Sequence, residues 1–243
     1  HQADWVSGWL INNWEYGEEG NNIRMGWEIS NSSWPEKFKN INWLRCLPKI
    51  ISSGQLMGTI CNKKANELIL PKGLKVIAGT TDANAGVLAT FPNMNDGVTI
   101  LGSTIVIKKF VNKPILGKGI SNHKLSGNWL CGGASNAGAG ILLDFFDIEY
   151  IEELSKQINP AKSTGIDLIP LSKQGERFPI DDPNLKPKLE PRPVSDSLYL
   201  QAIFEGLAKI EARGWKKLQE LGADLPRQII TIGGGAKNIT WKK

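Results

Sequence analysis

The chain has 243 residues, enough for one large domain or two smaller ones with a sizeable core. A composition of 41% hydrophobic and 22% charged residues is typical of a soluble globular protein. The net charge of +5 comes from scattered lysines and arginines, which favours a solvated surface over a nucleic-acid interface. No apolar run reaches the ~18 residues of a membrane span.

The cysteines and histidines argue against several kinds of site. Cys46, Cys61 and Cys131 are odd in number, far apart and form no C-x-x-C pair. This pattern favours reduced thiols and a cytoplasmic location over a disulfide framework or a zinc site. His1 and His123 give little support to a Ser-His-Asp hydrolase or a His-rich metal centre. We therefore assign no metal-ligating residue.

The first half of the chain predicts short elements between loops. Apolar residues at helical spacing predict a helix around residues 5–10, and the polar stretch 12–33 predicts mostly loop with a short helix at 23–25. Further predicted elements are a helix over 43–51, a strand and a short helix within 56–70, a strand over 75–78 and a helix over about 82–89. Turn residues at 91–93 place a domain boundary near Asn95.

Six of the nine tryptophans lie within the first 43 residues. A tryptophan cluster can stack on sugar rings. Packing in and around a hydrophobic core is the more ordinary explanation, and the sequence leaves both open.

The second half predicts a β-meander followed by helices. Its predicted elements are strands over 98–100, 105–110 and 129–131, an apolar helix over 137–146, an amphipathic helix over 148–158, an irregular Pro-rich segment over 175–193, a long helix over 197–221 and a strand over 229–232. Ser195 or Ser197 can cap the long helix, and Gly222 can end it.

Three apolar runs end in small residues, which predicts buried strands followed by tight turns. The run 75–78 precedes Asp82, the run 97–100 precedes Gly102-Ser103-Thr104, and the run 228–232 precedes Gly233-Gly234-Gly235. A backbone without bulky side chains can approach a phosphate closely and direct its N–H groups at the anion. Two such turns, with a carboxylate after a third strand, suggest a phosphotransferase.

Each of these motifs also has a purely structural interpretation. Asp82 is either a general base or a simple helix cap. The Gly102–Thr104 turn is either a phosphate turn or an ordinary hairpin. The stretch 132–138 is either an anion site at a helix N-terminus or a place of close packing.

The turn at 233–235 is the most costly of these motifs. Three consecutive glycines lose much chain entropy on folding, which is easiest to explain if a ligand approaches their backbone. Beyond the turn, Asn238 can hydrogen-bond a base edge or a ribose, and Trp241 can stack on adenine.

The ordered set of motifs resembles the FGGY family of carbohydrate kinases over nearly the whole chain. The motifs are Gly-Thr-Thr-Asp-Ala from residue 79, Leu-Gly-Ser-Thr-Ile-Val-Ile from 101, Gly-Gly-Ala-Ser-Asn-Ala-Gly from 132 and Gly-Gly-Gly-Ala-Lys-Asn from 233. The segments 1–5 and 175–179 look like its D-ribulose kinase (xylulose-kinase-like) branch from photosynthetic organisms.

The resemblance implies an α/β fold of two ribonuclease-H-like (actin-like ATPase) domains, both incomplete here. Residues 1–94 would be the C-terminal part of the sugar-binding domain, and 95–243 the ATP-binding domain. The implied catalytic base is Asp82, and the implied cofactors are ATP and Mg²⁺. The implied nucleotide-binding residues are Gly102, Ser103, Thr104, Gly138, Gly234, Gly235, Asn238 and Trp241.

The implied partner is a small-molecule sugar, most simply D-ribulose, with no nucleic acid and no membrane. Alternatives are xylulose, a polyol, or a truncated ATP-binding module without turnover. The family's N-terminal Asp-x-Gly-Thr hairpin, most of its sugar contacts and the end of its second domain have no match here. The chain is therefore expected to be an internal fragment that is inactive alone.

Overall fold

The computed structural model describes residues 1–125 and 127–243, which form two units. The first unit comprises residues 1–89 together with 123–130, and the second comprises 90–122 together with 131–243. No helix in the described ranges is long and apolar enough to cross a membrane. The domain boundary near Asn95 stays a prediction.

The first unit consists of short elements. They are helix α1 (Gln2–Ile11), strand β1 (Tyr16–Glu18), helix α2 (Glu19–Asn22), strand β2 (Lys49–Ile51), strand β3 (Leu56–Thr59), helix α3 (Asn62–Glu67), strand β4 (Lys75–Ile77), helix α4 (Asp82–Ala89) and 3-10 turns at Ile23–Met25, Glu36–Phe38 and Leu44–Cys46. Strands β1 and β2 pair in parallel, whereas β3 and β4 pair antiparallel.

The helix predicted over 43–51 is wrong. Only a 3-10 turn forms at Leu44–Cys46, and β2 follows it. Pro48 has no amide hydrogen and disfavours helical geometry at Leu47, which is extended with φ −73° and ψ 139°. The chain is therefore directed into the strand that pairs with β1.

The second unit contributes most of a five-stranded sheet with the strand order β7-β8-β6-β5-β9, whereas residues 123–125 of β7 and 128–130 of β8 belong to the first unit. The elements after residue 90 are strands β5 (Asp96–Leu101), β6 (Ile105–Val111), β7 (Ile120–Leu125) and β8 (Asn128–Ala134), helices α5 (Ile148–Ser155) and α6 (Asp196–Glu220), strand β9 (Gln228–Ile232), helix α7 (Ile239–Lys242) and 3-10 helices at Ala139–Asp144 and Gly234–Lys237. Strand β5 runs antiparallel to β6 and parallel to β9.

Helix α6 supplies much of the core of this unit. Ser195 caps it by accepting a hydrogen bond from the backbone N of Leu198, and Gly222 follows its end with φ +101°. The side chains of Leu200, Ile203 and Leu207 are fully buried, which contributes roughly 1.5–3 kcal/mol each. The predicted long helix and both of its end signals are confirmed.

Two other sequence expectations need correction. Of the three strands predicted to be buried, β4 and β9 are not, since Ile77 and Ile229 are exposed, whereas β5 is largely enclosed. The apolar stretch at 137–146 forms a 3-10 helix rather than an α-helix. It starts after Gly138, which is extended and lies against the backbone of Ser103.

Candidate active site

The two glycine turns predicted from the sequence meet at one edge of the sheet in the second unit. Strands β5 and β9 are parallel neighbours, with Thr99 opposite Thr231 and Ile100 opposite Ile232. Their carboxyl ends therefore lie side by side, and each leads directly into a turn of small residues. In parallel sheets this edge is where ligands commonly bind.

The turn at 102–104 is backed by the segment that follows β8. Within the turn, Gly102 N donates to Thr104 O at 3.2 Å. The backbone N atoms of Ala139 and Gly140 donate to the carbonyl oxygens of Gly102 (2.8 Å) and Ser103 (3.2 Å). The hydroxyl-bearing Ser103 is exposed. The turn is thus held from behind while its tip faces solvent.

Gly138 is required by close packing. A Cβ atom at this position would lie 2.5 Å from Thr104 Cα and 2.6 Å from Ser103 O. Any side chain would displace the turn at 102–104. The structure thus brings Gly138 to the turn by backbone contact, and its contact with a nucleotide stays a prediction.

The three glycines after β9 have different environments. Gly233 has φ +93°, and its Cβ would lie 2.7 Å from Leu101 O. A Cβ on Gly235 would overlap the Trp241 ring. Gly234, by contrast, is exposed, and a Cβ there meets no atom within 4 Å. Packing therefore accounts for two of the three glycines, and only Gly234 has open space that a ligand could fill.

Asn238 and Trp241 support this turn from inside the second unit. The Asn238 side chain accepts from Trp241 N (3.1 Å) and donates to Ser155 Oγ (2.8 Å), which ties α7 to α5. Trp241 is only 7% exposed and stacks on Phe204. Their predicted contacts with the base and ribose stay predictions.

Asp82 is the one candidate residue that belongs to the first unit. It is the first residue of α4, as predicted, and its side chain is exposed. Its Oδ1 accepts a hydrogen bond from Ala83 N at 2.7 Å. The helix dipole stabilises a carboxylate at this position, so the geometry suits both a cap and a base.

One buried residue behind the site was not singled out from the sequence. Glu176 accepts hydrogen bonds from Ser135 and Asn136, just before Gly138. The available signal was a charged residue inside the irregular segment 175–193. Within residues 1–125 and 127–243, no group of three or more His, Cys, Asp and Glu side chains is placed to hold a metal ion.

Sequence comparison finds a relative described as a sugar kinase. No protein-family model matches the chain. The protein described as "Putative sugar kinase YoaC" from Bacillus subtilis is 28% identical over 137 residues, covering 53% of this chain and 27% of that protein.

Structure comparison finds sugar and glycerol kinases. A ligand-bound xylulose kinase from Lactobacillus acidophilus has a TM-score of 0.81 at 15% identity, and a gluconate kinase from the same organism 0.80 at 16%; each match covers 98% of this chain and 51% of the other. The glycerol kinase of Plasmodium falciparum with ADP has a TM-score of 0.81 at 15% identity, covering 100% and 51%.

These likenesses confirm the predicted fold class, the α/β fold of actin-like ATPase sugar kinases. The chain spans about half the length of the solved structures that it matches, and its matched region covers about a quarter of the YoaC sequence.

Proposed function

We propose that this protein is an ATP-dependent carbohydrate kinase that phosphorylates a hydroxyl group of a ketopentose in the cytoplasm. The observation that carries the proposal is the meeting of two glycine turns at the carboxyl ends of the parallel strands β5 and β9, with open space at Gly234. The likeness to solved sugar kinases, and to a glycerol kinase with ADP, supports it.

In this proposal the second unit binds the nucleotide. The backbone N–H groups and hydroxyls of Gly102, Ser103 and Thr104 would bind phosphate oxygens. The adenosine part would lie over the exposed backbone at Gly234. Gly138 shapes the phosphate turn from behind. The remaining proposed residues, Gly235, Asn238 and Trp241, hold the second turn in place.

ATP supplies the phosphoryl group, and Mg²⁺ offsets its charge when bound. Mg²⁺ is usually held by phosphate oxygens, water and only one or two carboxylates. The exposed, hydroxyl-bearing phosphate turn fits such a nucleotide-borne metal. We assign no ligand set to it.

Asp82 would act as the general base. Its exposed carboxylate at the start of α4 is accessible to a sugar hydroxyl. As the sugar oxygen bonds to the γ-phosphorus, the bond from that phosphorus to the β,γ-bridging oxygen breaks and ADP leaves. The hydroxyl proton passes to the Asp82 carboxylate.

D-ribulose is the substrate that we place first, because the sequence resembles the ribulose-kinase branch most. Xylulose is supported by the likeness to a solved xylulose kinase. A polyol is supported by the likeness to a glycerol kinase. A nucleotide-binding module without turnover is the remaining alternative.

Gly234→Ala tests the nucleotide site directly. The added methyl group meets no protein atom within 4 Å, so the variant should fold as the wild type does. We expect wild-type protein to bind a non-hydrolysable ATP analogue with Mg²⁺ in calorimetry, and the variant to bind at least about tenfold more weakly, a loss of about 1.4 kcal/mol. Equal affinities, or no binding by the wild type, would refute the proposed site.

Turnover is tested by a coupled assay of ADP release with D-ribulose, xylulose and glycerol, on the natural protein that contains this chain. Sugar-dependent ADP release supports the kinase and ranks its substrates. Nucleotide binding without sugar-dependent release would instead identify the binding module.

A further inference from the structure

A buried carboxylate lies behind the proposed phosphate turn. Glu176 is 4% exposed although it belongs to the irregular segment between α5 and α6. Its Oε2 accepts a hydrogen bond from Ser135 Oγ at 2.5 Å, and its Oε1 accepts from Asn136 N at 2.8 Å. The backbone N atoms of Arg177 and Phe178 also donate to Oε1, at 2.9 and 3.3 Å. These four donors account for the burial of an acidic side chain.

Ser135 connects this carboxylate to the strand that leaves the turn. Its hydroxyl oxygen accepts from Ala137 N at 2.9 Å while donating to Glu176. Its backbone N donates to Ile105 O at 2.9 Å, and Ile105 N donates to Ala137 O at 2.7 Å. Residue 105 directly follows Thr104, so only a few hydrogen bonds separate Glu176 from the turn.

The segment fixed by Glu176 is also the one that shapes the turn. Backbone atoms of residues 138–140 contact the turn directly: Ala139 N and Gly140 N donate to its carbonyl oxygens, and Gly138 lies against Thr104 Cα. Such backbone contacts are rigid and absorb little displacement. A shift of residues 135–137 would therefore move the turn itself.

We propose that Glu176 is a positioning residue for the phosphate turn at 102–104, acting through Ser135 and the backbone of residues 137–140. The inference rests on the proposed function. Hydrogen bonds to a carboxylate are shorter and stronger than those between neutral groups. A phosphate turn works only when its N–H groups are already directed at the anion, so rigid support contributes to affinity.

Two variants remove this support in different ways. Glu176→Gln keeps the size and one acceptor oxygen for the backbone N–H groups, but the amide nitrogen that replaces Oε2 cannot accept a hydrogen bond from the Ser135 hydroxyl. Ser135→Ala keeps Glu176 and removes the relay, in case the first variant does not fold. Glu205→Gln is the matched control, because Glu205 is also a carboxylate of the second unit with several donors, all from Ser163, Thr164 and Gln201.

The test compares ligands with and without phosphate. Calorimetry with an ATP analogue and ADP, and ligand-detected NMR with adenosine, are run beside thermal unfolding. Glu176→Gln and Ser135→Ala should bind both phosphate-bearing ligands about tenfold more weakly, because each variant removes the charge-assisted hydrogen bond that holds the segment behind the turn. Adenosine affinity should stay within about twofold, since the phosphate contacts alone are affected. Glu205→Gln should leave all affinities unchanged whatever its melting temperature.

Equal losses for adenosine and ATP, or no loss for either, would overturn the inference. If the wild type binds no nucleotide, the proposed function fails, and hydrogen exchange of the ligand-free protein still decides the positioning role. Glu176→Gln should speed exchange of backbone N–H groups at 102–104 and 137–140, whereas Glu205→Gln should not. Unchanged hydrogen exchange in Glu176→Gln would show that Glu176 does not position the turn.

Discussion

The indole ring of Trp241 lies parallel to the phenyl ring of Phe204, with centroids 5.3 Å apart and planes inclined by 7°. The same indole lies where a side chain on Gly235 would have to go. One face of Trp241 is thus covered by α6, and its edge supports the turn after β9. This arrangement links the core of the second unit to the proposed nucleotide site.

Trp241→Ala should therefore affect stability first. Removing a buried aromatic ring lowers the free energy of unfolding by about 3–5 kcal/mol, and ATP affinity should fall because Gly235 loses its support. Trp241→Phe should recover most of the stability and most of the ATP affinity. Denaturant unfolding and calorimetry measure the two effects. Recovered stability without recovered affinity would contradict a packing role and point to direct stacking on adenine.

Gly138→Ala should disturb the phosphate turn. Its methyl group would lie 2.5 Å from Thr104 Cα and 2.6 Å from Ser103 O, so the backbone must move at a cost of about 1–3 kcal/mol. We expect a lower melting temperature and weaker ATP binding together. Gly234→Ala is the control for the added methyl group, since it should weaken binding at unchanged stability. Wild-type behaviour of Gly138→Ala would contradict the close backbone contact.

Asp82→Asn should lower kcat of the natural protein by about 10²–10⁴-fold, the usual contribution of a positioned base. Asparagine also caps helices well, so α4 should stay intact. Sugar and ATP affinities should change little. The measurement is steady-state ADP release with binding followed separately. A kcat near that of the wild type at neutral pH would leave Asp82 as a helix cap only.

The buried side chain of Lys108 should make the stability of the protein depend on pH in an unusual way. It is buried on β6, and its Nζ donates to Ser121 Oγ at 3.2 Å. Burial lowers the pKa of Lys108 to about 8, against 10.5 for an exposed lysine. Because the unfolded chain holds this proton up to higher pH, its contribution to stability rises between pH 8 and 10.5. At pH 7 the folded protein carries the full cost of burying the charge.

Lys108→Met should consequently stabilise the protein at pH 7 by something on the order of 3 kcal/mol. The gain should shrink as the pH rises from 8 towards 10.5, where the wild-type lysine is neutral in the folded state. Urea unfolding of both proteins at pH 7 and pH 10 measures this difference. A gain in the free energy of unfolding that is the same at both pH values would show that burial of the Lys108 charge does not destabilise the protein.

Local signals predicted the elements that depend on local interactions. Helix α4 begins at Asp82, and α6 has the Ser195 cap and the Gly222 turn that its sequence indicated. Strand β2 was missed because its formation depends on pairing with β1, more than thirty residues away, at Tyr16–Lys49 to Glu18–Ile51. An apolar run containing proline gives no indication of such a distant partner.

The candidate site was predictable to a similar extent. The glycine turns were visible because glycines after an apolar run indicate a tight turn. The sequence did not show which glycines are needed for packing. Gly138 is restricted by atoms distant in sequence, and Gly235 by a ring on the other side of the turn. The Glu176–Ser135 contact joins residues 41 apart, and nothing in either local sequence indicates the other.

Strand β9 lies at one end of the strand order, and only its inner side pairs with β5. Its outer side therefore presents backbone N–H and C=O groups beside exposed apolar residues such as Ile229. Such an edge is a template for strand addition by a second molecule. The strand that carries the nucleotide turn is thus also an open sheet edge at which copies of the chain can associate, and a charged side chain at position 229 should reduce that association at high concentration.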